Sequence, residues 1–333
     1  MVKTMLTKKV LPLNTNPFIK TYPYNAFYLG ILEANGFDIS DILINEFFNL
    51  HCYYYKKDWH IDFCGSGFVE KNRFITKYDI KLETININQI KNKIDNNFYL
   101  MMNLNERYLG VSEIQWDCDR CHDWLIYGYN DLLNEFYCCG YINKKGVGEY
   151  YGTIKVKYNC LIKSIKKVPK TFTRFRSYKL QNHSLIIDYS FKEKVLTKNK
   201  LLNKLYNYYH PKKLVIYHKP FIFNDINGLN MYMKNFKKNY VILNKKNEIY
   251  LPDIRNIHEH KKIIKLIMEK LNCKEEIIEQ QNLLIKDSYS ILMLSAKHFL
   301  NPHQNTIEKI YNKLIDIEKR EKEIVFKAIY SII

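Results

Sequence analysis

Cys118-Asp-Arg-Cys121-His122 is the densest run of reactive side chains in this sequence. Read literally, C-x-x-C-H attaches a c-type haem through two thioethers, with the histidine on iron. That attachment happens outside the cytosol. The amino terminus, MVKTMLTKKVLPLN, has lysines but no apolar segment, so no export signal is expected. A closed zinc site takes about four ligands. Cys118, Cys121 and His122, with Cys138 or Cys139, would supply the donors, but neighbours such as Cys121 and His122 rarely face one ion. A redox Cys-x-x-Cys opens a helix, whose dipole lowers the thiol pKa, whereas this pair precedes strand-like sequence. The expectation is no metal, with Cys118 and Cys121 as weak candidates, and no cofactor.

His122 draws more interest from the residues downstream of it. His122-Asp-Trp-Leu-Ile-Tyr-Gly128-Tyr-Asn130-Asp131, then Phe136-Tyr137, reads as histidine, strand, turn, strand. In papain-type cysteine enzymes the general-base histidine begins a core strand, and an Asp or Asn on the neighbouring strand orients it. The nucleophilic cysteine caps a buried helix, where the dipole favours thiolate.

The surrounding elements are of the kind such a site needs. Ala26–Asn35 has the apolar spacing of a buried helix, closed by Gly36. Ile42–Leu50 reads as a second helix, with Asp38 and Ser40 as caps. Tyr53–Phe63 is strand-like. Ile87, Ile90 and Ile94 make Ile85–Ile94 helical. Strands are expected at Phe98–Leu104, Trp124–Tyr129, Glu135–Ile142 and Tyr151–Tyr158. After Pro252 the pattern is helical: Asp253–Leu271, Glu276–Phe299, and a third helix marked by Ile307, Ile310, Tyr311, Leu314 and Ile317. These three should pack antiparallel, on each other or on the first domain.

Ala26–Gly36 as a central helix, Asn105-Glu106-Arg-Tyr108, HDWLIYGYND and FYCCGY together resemble the amino-terminal domain of the butirosin biosynthesis protein H family. Asp253–Lys262 (DIRNIHEHKK) resembles a helix in the carboxy-terminal region of related proteins from peptide natural-product clusters. The resemblance implies a papain-like, C39-like fold. It also implies an acyltransferase that moves an acyl group from an acyl carrier protein to an amine through a cysteine thioester. His122 matches the family histidine. At the helix start, where the cysteine belongs, this chain has Tyr24-Asn25-Ala26, and the orienting Asp falls near Cys138 or Cys139. Asn130 or Asp131 would substitute only if the turn folds back toward the ring. An amide forms no thioester, and a tyrosine hydroxyl with a pKa of about 10 is a poor acyl nucleophile. Three readings of His122 stay open: a satisfied core histidine, a base that works without covalent catalysis, or a base served by a shifted thiol such as Cys52, Cys64 or Cys121.

Fifty-two Lys/Arg against 34 Asp/Glu give a net charge of +18. Residues 161–220 hold 15 of the cations and only Asp188 and Glu193, a net of +13. Lys166, Lys167, Lys170, Arg174 and Arg176 lead that stretch. They would dock an acidic carrier protein or, as an alternative, single-stranded nucleic acid; a plain lysine-rich surface is the bland reading. A thiol or metal sensor built on the cysteines is a third. Cys64-Gly-Ser-Gly67 lacks the strand-to-helix context of a phosphate loop. His258 and His260, two apart on a helix, point to different faces.

With 333 residues, 47% of them hydrophobic, the chain has material for two domains. The expected fold class is α+β: a papain-like domain over 1–160 with an antiparallel sheet and central helix, a basic mixed connecting region over 161–250, and a helical region over 251–333. No apolar run spans a membrane, so a cytoplasmic location without a membrane partner is expected.

Overall fold

The computed structural model describes residues 7–55, 58–63, 75–79, 85–111, 119–144, 148–169, 175–180, 196–210, 223–238 and 249–332. In chain order its elements are β1 (Lys8–Val10), α1 (Pro23–Ala34), α2 (Ser40–Glu46), β2 (Leu50–Tyr55), β3 (Asp58–Phe63), β4 (Ile75–Asp79), α3 (Ile87–Asp95), β5 (Phe98–Asn105), a 3-10 turn (Glu106–Tyr108), β6 (Cys121–Asn130), β7 (Glu135–Lys144), β8 (Gly148–Lys157), α4 (Tyr158–Lys166), β9 (Phe175–Leu180), α5 (Lys198–Tyr209), β10 (Phe223–Asn224), α6 (Asp225–Phe236), α7 (Leu251–Lys270), α8 (Glu275–Leu300) and α9 (Gln304–Tyr330). The class is α+β, as expected.

Two compact units emerge, and neither is continuous in sequence. One gathers the described residues of 1–38 and 69–193, the other those of 39–68 and 194–333. This departs from the linear partition at 160 and 250. The β2–β3 hairpin groups with the carboxy-terminal helices because β3 packs on α7.

The first unit is built on an antiparallel sheet in the order β4-β9-β5-β6-β7-β8, with β1 added on β6 beyond the start of β5. Helix α1 starts at Pro23, whose fixed φ suits a first helical position. It is buried from Asn25 through Leu32, as a central helix should be. It stops where Gly36 takes a φ of 79° and the Phe37 amide reaches back to the Leu32 carbonyl. Phe27 of α1 meets Tyr151, and the Asn35 amide meets the Tyr99 hydroxyl. Those two tyrosines mark the sheet face that α1 covers. Helices α3 and α4 lie on the other face: Lys91 sits over Tyr129, and Tyr158 packs on Phe136 with ring centres 4.5 Å apart. A capping box between Asn86 and Gln89 starts α3.

In the second unit, α7, α8 and α9 pack antiparallel, as the sequence predicts. Gln281 bonds the Lys261 carbonyl while His258 bonds Ser288; Arg320 bonds Asp287 while Lys327 bonds Gln280. Lys261 and Glu321 form a fully buried ion pair at 2.5 Å, and the Tyr208 hydroxyl donates to the same carboxylate. Among the described residues, the outer edge of β3 at Ile61 has no neighbouring strand in the three-stranded sheet β10-β2-β3. Side chains of α7 take that role: Asp253 accepts from the Ile61 amide and Asn256 donates to its carbonyl. The second helix is shorter than expected. It runs Ser40–Glu46 with Ile39 at its N-cap and no side-chain cap, because Leu50 already belongs to β2.

Candidate functional site

Strand register creates the site in the first unit. Leu104 pairs with His122 and Asn105 with Cys121 across β5 and β6. The Glu106 amide extends that ladder by donating to the Arg120 carbonyl at 2.8 Å. Glu106 thus stands opposite Arg120 and diagonal to His122 and, since side chains two apart share a face, on the same side as Trp124. Glu106 Oε2 lies 3.7 Å from Arg120 Nε, and Oε1 lies 3.5 Å from His122 Nδ1. The Trp124 indole N–H donates to Oε1 at 3.3 Å. Arg120 Nη2 is 3.1 Å from His122 Nε2. A guanidinium only donates, so Nε2 is assigned as acceptor and the ring proton sits on Nδ1, toward Glu106.

Burial explains why the cluster holds together. Glu106 is 3% exposed, and a carboxylate that deep is costly unless paired. Arg120 and His122, with side chains 26% and 32% exposed, supply the partners from the rim. Trp124 is fully buried, its ring laid over Gly140 of β7: a Cβ there would come within 2.6 Å of Cε3. Glycine at 140 therefore seats the indole that holds Glu106. Chemically, the group is a partly exposed imidazole set between a guanidinium and a buried carboxylate.

The helix start is not part of it. Gly140 and Trp124 share one sheet face, whereas Tyr141 and Tyr151, which α1 covers, alternate to the other. His122 shares the face of Trp124, so α1 with Tyr24 and Asn25 packs on the face opposite to it. Asn25 Oδ1 is buried with no hydrogen-bond partner among the described residues.

Asn130 and Asp131 do not orient the ring either. They close the far end of β6, about 26 Å away at about 3.3 Å per residue. There Asn130 caps the turn at the Leu132 amide, and Asp131 binds Lys91 and the Tyr158 hydroxyl.

The described candidate thiols are poor nucleophiles. Cys138 and Cys139 pair with Ile126 and Leu125 inside the sheet. Burial pushes the Cys139 thiol up to about 12, and pushes Cys138 up further, with Cys139 adding to it. Cys52 lies on β2 in the second unit, and its thiol is likewise raised by burial and by Asp253. Cys121 alternates to the face opposite His122, and burial, Asp119 and Glu106 raise its thiol. Among the described residues no three His, Cys, Asp or Glu side chains gather as metal ligands. Cys64, Cys118, Lys170 and Arg174 lie outside the described residues, as does the side chain of Arg176. Lys166 and Lys167 are exposed at the end of α4, one turn beyond Lys163, which sits over the Tyr108 ring.

Comparison with known protein families and with curated proteins gives no match.

Sequence reasoning did not single out Glu106 and Arg120 as members of the site. The signal for them was Glu106 two residues past a strand and Arg120 two before His122, but only the β5–β6 register brings them together. A second pair was missed in the other unit. His60 Nδ1 lies 3.3 Å from buried Asp253, with the ring set between Tyr53 and Tyr250. His258 and His260 do face different ways: the first meets Ser288, the second the Phe48 carbonyl.

Proposed function

We propose that this protein is a divergent relative of the butirosin biosynthesis protein H group that serves natural-product assembly as an accessory. On this reading it binds an acyl carrier protein and forms no acyl-enzyme. The observation that carries the reading is the setting of His122. Its proton faces Glu106, its lone pair faces Arg120, and the helix that should present a nucleophile packs on the opposite sheet face. Cys52, Cys121, Cys138 and Cys139 are all pushed toward the neutral form by burial, and a neutral thiol neither attacks a thioester nor leaves as thiolate.

The exposed Lys163, Lys166 and Lys167, with a net charge of +18, support an acidic partner. Carrier proteins of this chemistry fit that description. Titration with a phosphopantetheinylated carrier protein at low and at high salt tests the reading. A complex that weakens with salt, and that Lys163→Gln with Lys166→Gln weakens further, is expected. No complex at low salt would refute it. Equal or tighter binding of single-stranded RNA would favour a nucleic-acid role instead.

A further inference from the structure

The first unit also holds a cavity of about 580 Å³ that lies apart from the His122 cluster, lined by Lys8, Val10, Val111, Tyr127, Tyr137, Thr153, Ile154 and Lys155. A β-bulge makes it. Ile126 pairs with Cys138, but Gly128, not Tyr127, pairs with Tyr137, so Tyr127 is the extra residue of β6. Its ring turns to the face of Tyr137, the centroids 6.3 Å apart. Gly128 permits the arrangement, because a Cβ there would strike the Lys9 carbonyl at 2.8 Å and the Tyr137 ring at 2.9 Å. β1 then adds its own side chains. Val10 pairs with Gly128 and Lys8 with Asn130, which sets Lys8 and Val10 on the cavity side, while Lys9 turns the other way to the Asp95 carbonyl.

The charge of this cavity is one-sided. Lys155 stands opposite Tyr137 with its ammonium 6.0 Å from the ring centre. Lys8 and Lys155 have no carboxylate partner among the described residues, and no acid is among the described residues that line the cavity. Glu135, next along this face of β7, is held by Lys157 at 2.9 Å. The Tyr127 hydroxyl, raised to about 12 by burial and by Cys139, Cys138 and Tyr137, stays a donor at neutral pH. The hydroxyl of Thr153 adds another.

We propose that this cavity binds a small organic anion, a carboxylate or phosphate carried on a flat or acyl body. The body packs against the Tyr127 and Tyr137 rings where they line the cavity, and the anion meets Lys8 and Lys155. The chemistry is shared by both anion types, and their relative affinities separate them.

Calorimetric titration of the full chain with phenyl phosphate, with benzoate and with neutral benzyl alcohol tests this. Saturable binding of at least one anion is expected, with benzyl alcohol weaker by about tenfold or more. Lys155→Gln should weaken the anion about tenfold, and Lys8→Gln should act in the same direction. Both residues are exposed, so the fold tolerates the change. Tyr127→Phe, which keeps the ring, should cost less. Lys286→Gln in the other unit should change nothing. Absence of saturable binding by either anion, equal affinity for benzyl alcohol, or an equal loss in Lys286→Gln would overturn the proposal.

Discussion

Gly140→Ala is a one-methyl change that reaches the His122 cluster through a single ring. The added carbon would stand 2.6, 2.8 and 3.0 Å from Trp124 Cε3, Cδ2 and Cζ3. A buried indole packed that closely has to shift by several tenths of an ångström or rotate. Overpacking of this kind costs about 1–3 kcal/mol. If the indole moves, its N–H also leaves Glu106 Oε1, and a hydrogen bond to a buried charge is worth about 1.5–3 kcal/mol. The 3.3 Å separation places that bond at the weak end, so we expect a total loss of about 2–4 kcal/mol. Urea unfolding measures the loss. Fluorine NMR of 5-fluorotryptophan protein reads the ring directly, with the Trp124 signal assigned from Trp124→Phe. The signal should shift in Gly140→Ala, while that of Trp59 in the other unit stays in place. A variant within about 0.5 kcal/mol of the parent, the usual scale for a neutral surface change, with an unmoved Trp124 signal would refute the reasoning.

Lys261→Met should destabilise by about 3–5 kcal/mol in urea, because it leaves the Glu321 carboxylate buried without its counter-charge. Adding Glu321→Leu should recover a large part of the loss; no recovery would show that the pair is not the cause. Native protein at pH 8 should leave Cys52, Cys138 and Cys139 unreactive toward a disulfide reagent, and urea should release them. The same burial makes stability fall in alkali. Unfolded, Cys139 titrates near 9.0, but folded it holds its proton to about 12. The unfolded chain therefore sheds a proton first, and stability drops as pH rises above about 9, by about 1.4 kcal/mol per pH unit for such a group. In acid, His260 acts in the opposite direction. Burial, and then Lys261, hold its pKa well below 6.5, so the unfolded chain takes up the proton first as pH falls below that value. The urea midpoint should decline from pH 6.5 toward pH 5, less steeply in His260→Gln.

Local pattern carried most of the elements. The aromatic and β-branched runs mark β5, β6, β7 and β8, and the apolar period marks α1, α7, α8 and α9. These signals live within a few residues. The Asp253 helix start was readable from its proline, but its carboxylate serves the Ile61 amide nearly two hundred residues away, which no local pattern contains. The same holds for Glu106: its place beside His122 comes from pairing Leu104 with His122, and a shift of one residue would send it to the other face. The β-bulge at Tyr127 is hidden for a related reason, since it is a mismatch between two strands and not a property of either. Asn130 and Asp131 offer the right side chains in the turn after the His122 strand, but a ten-residue strand separates its ends by most of its length, and the turn does not fold back.

The most direct test of the central claim is intact mass after incubation with an acyl-loaded carrier protein. The chain should keep its unmodified mass while binding the carrier. An acyl adduct that disappears with a single cysteine-to-alanine change, whether at Cys52, Cys64, Cys118 or Cys121, would contradict it and restore a thioester enzyme.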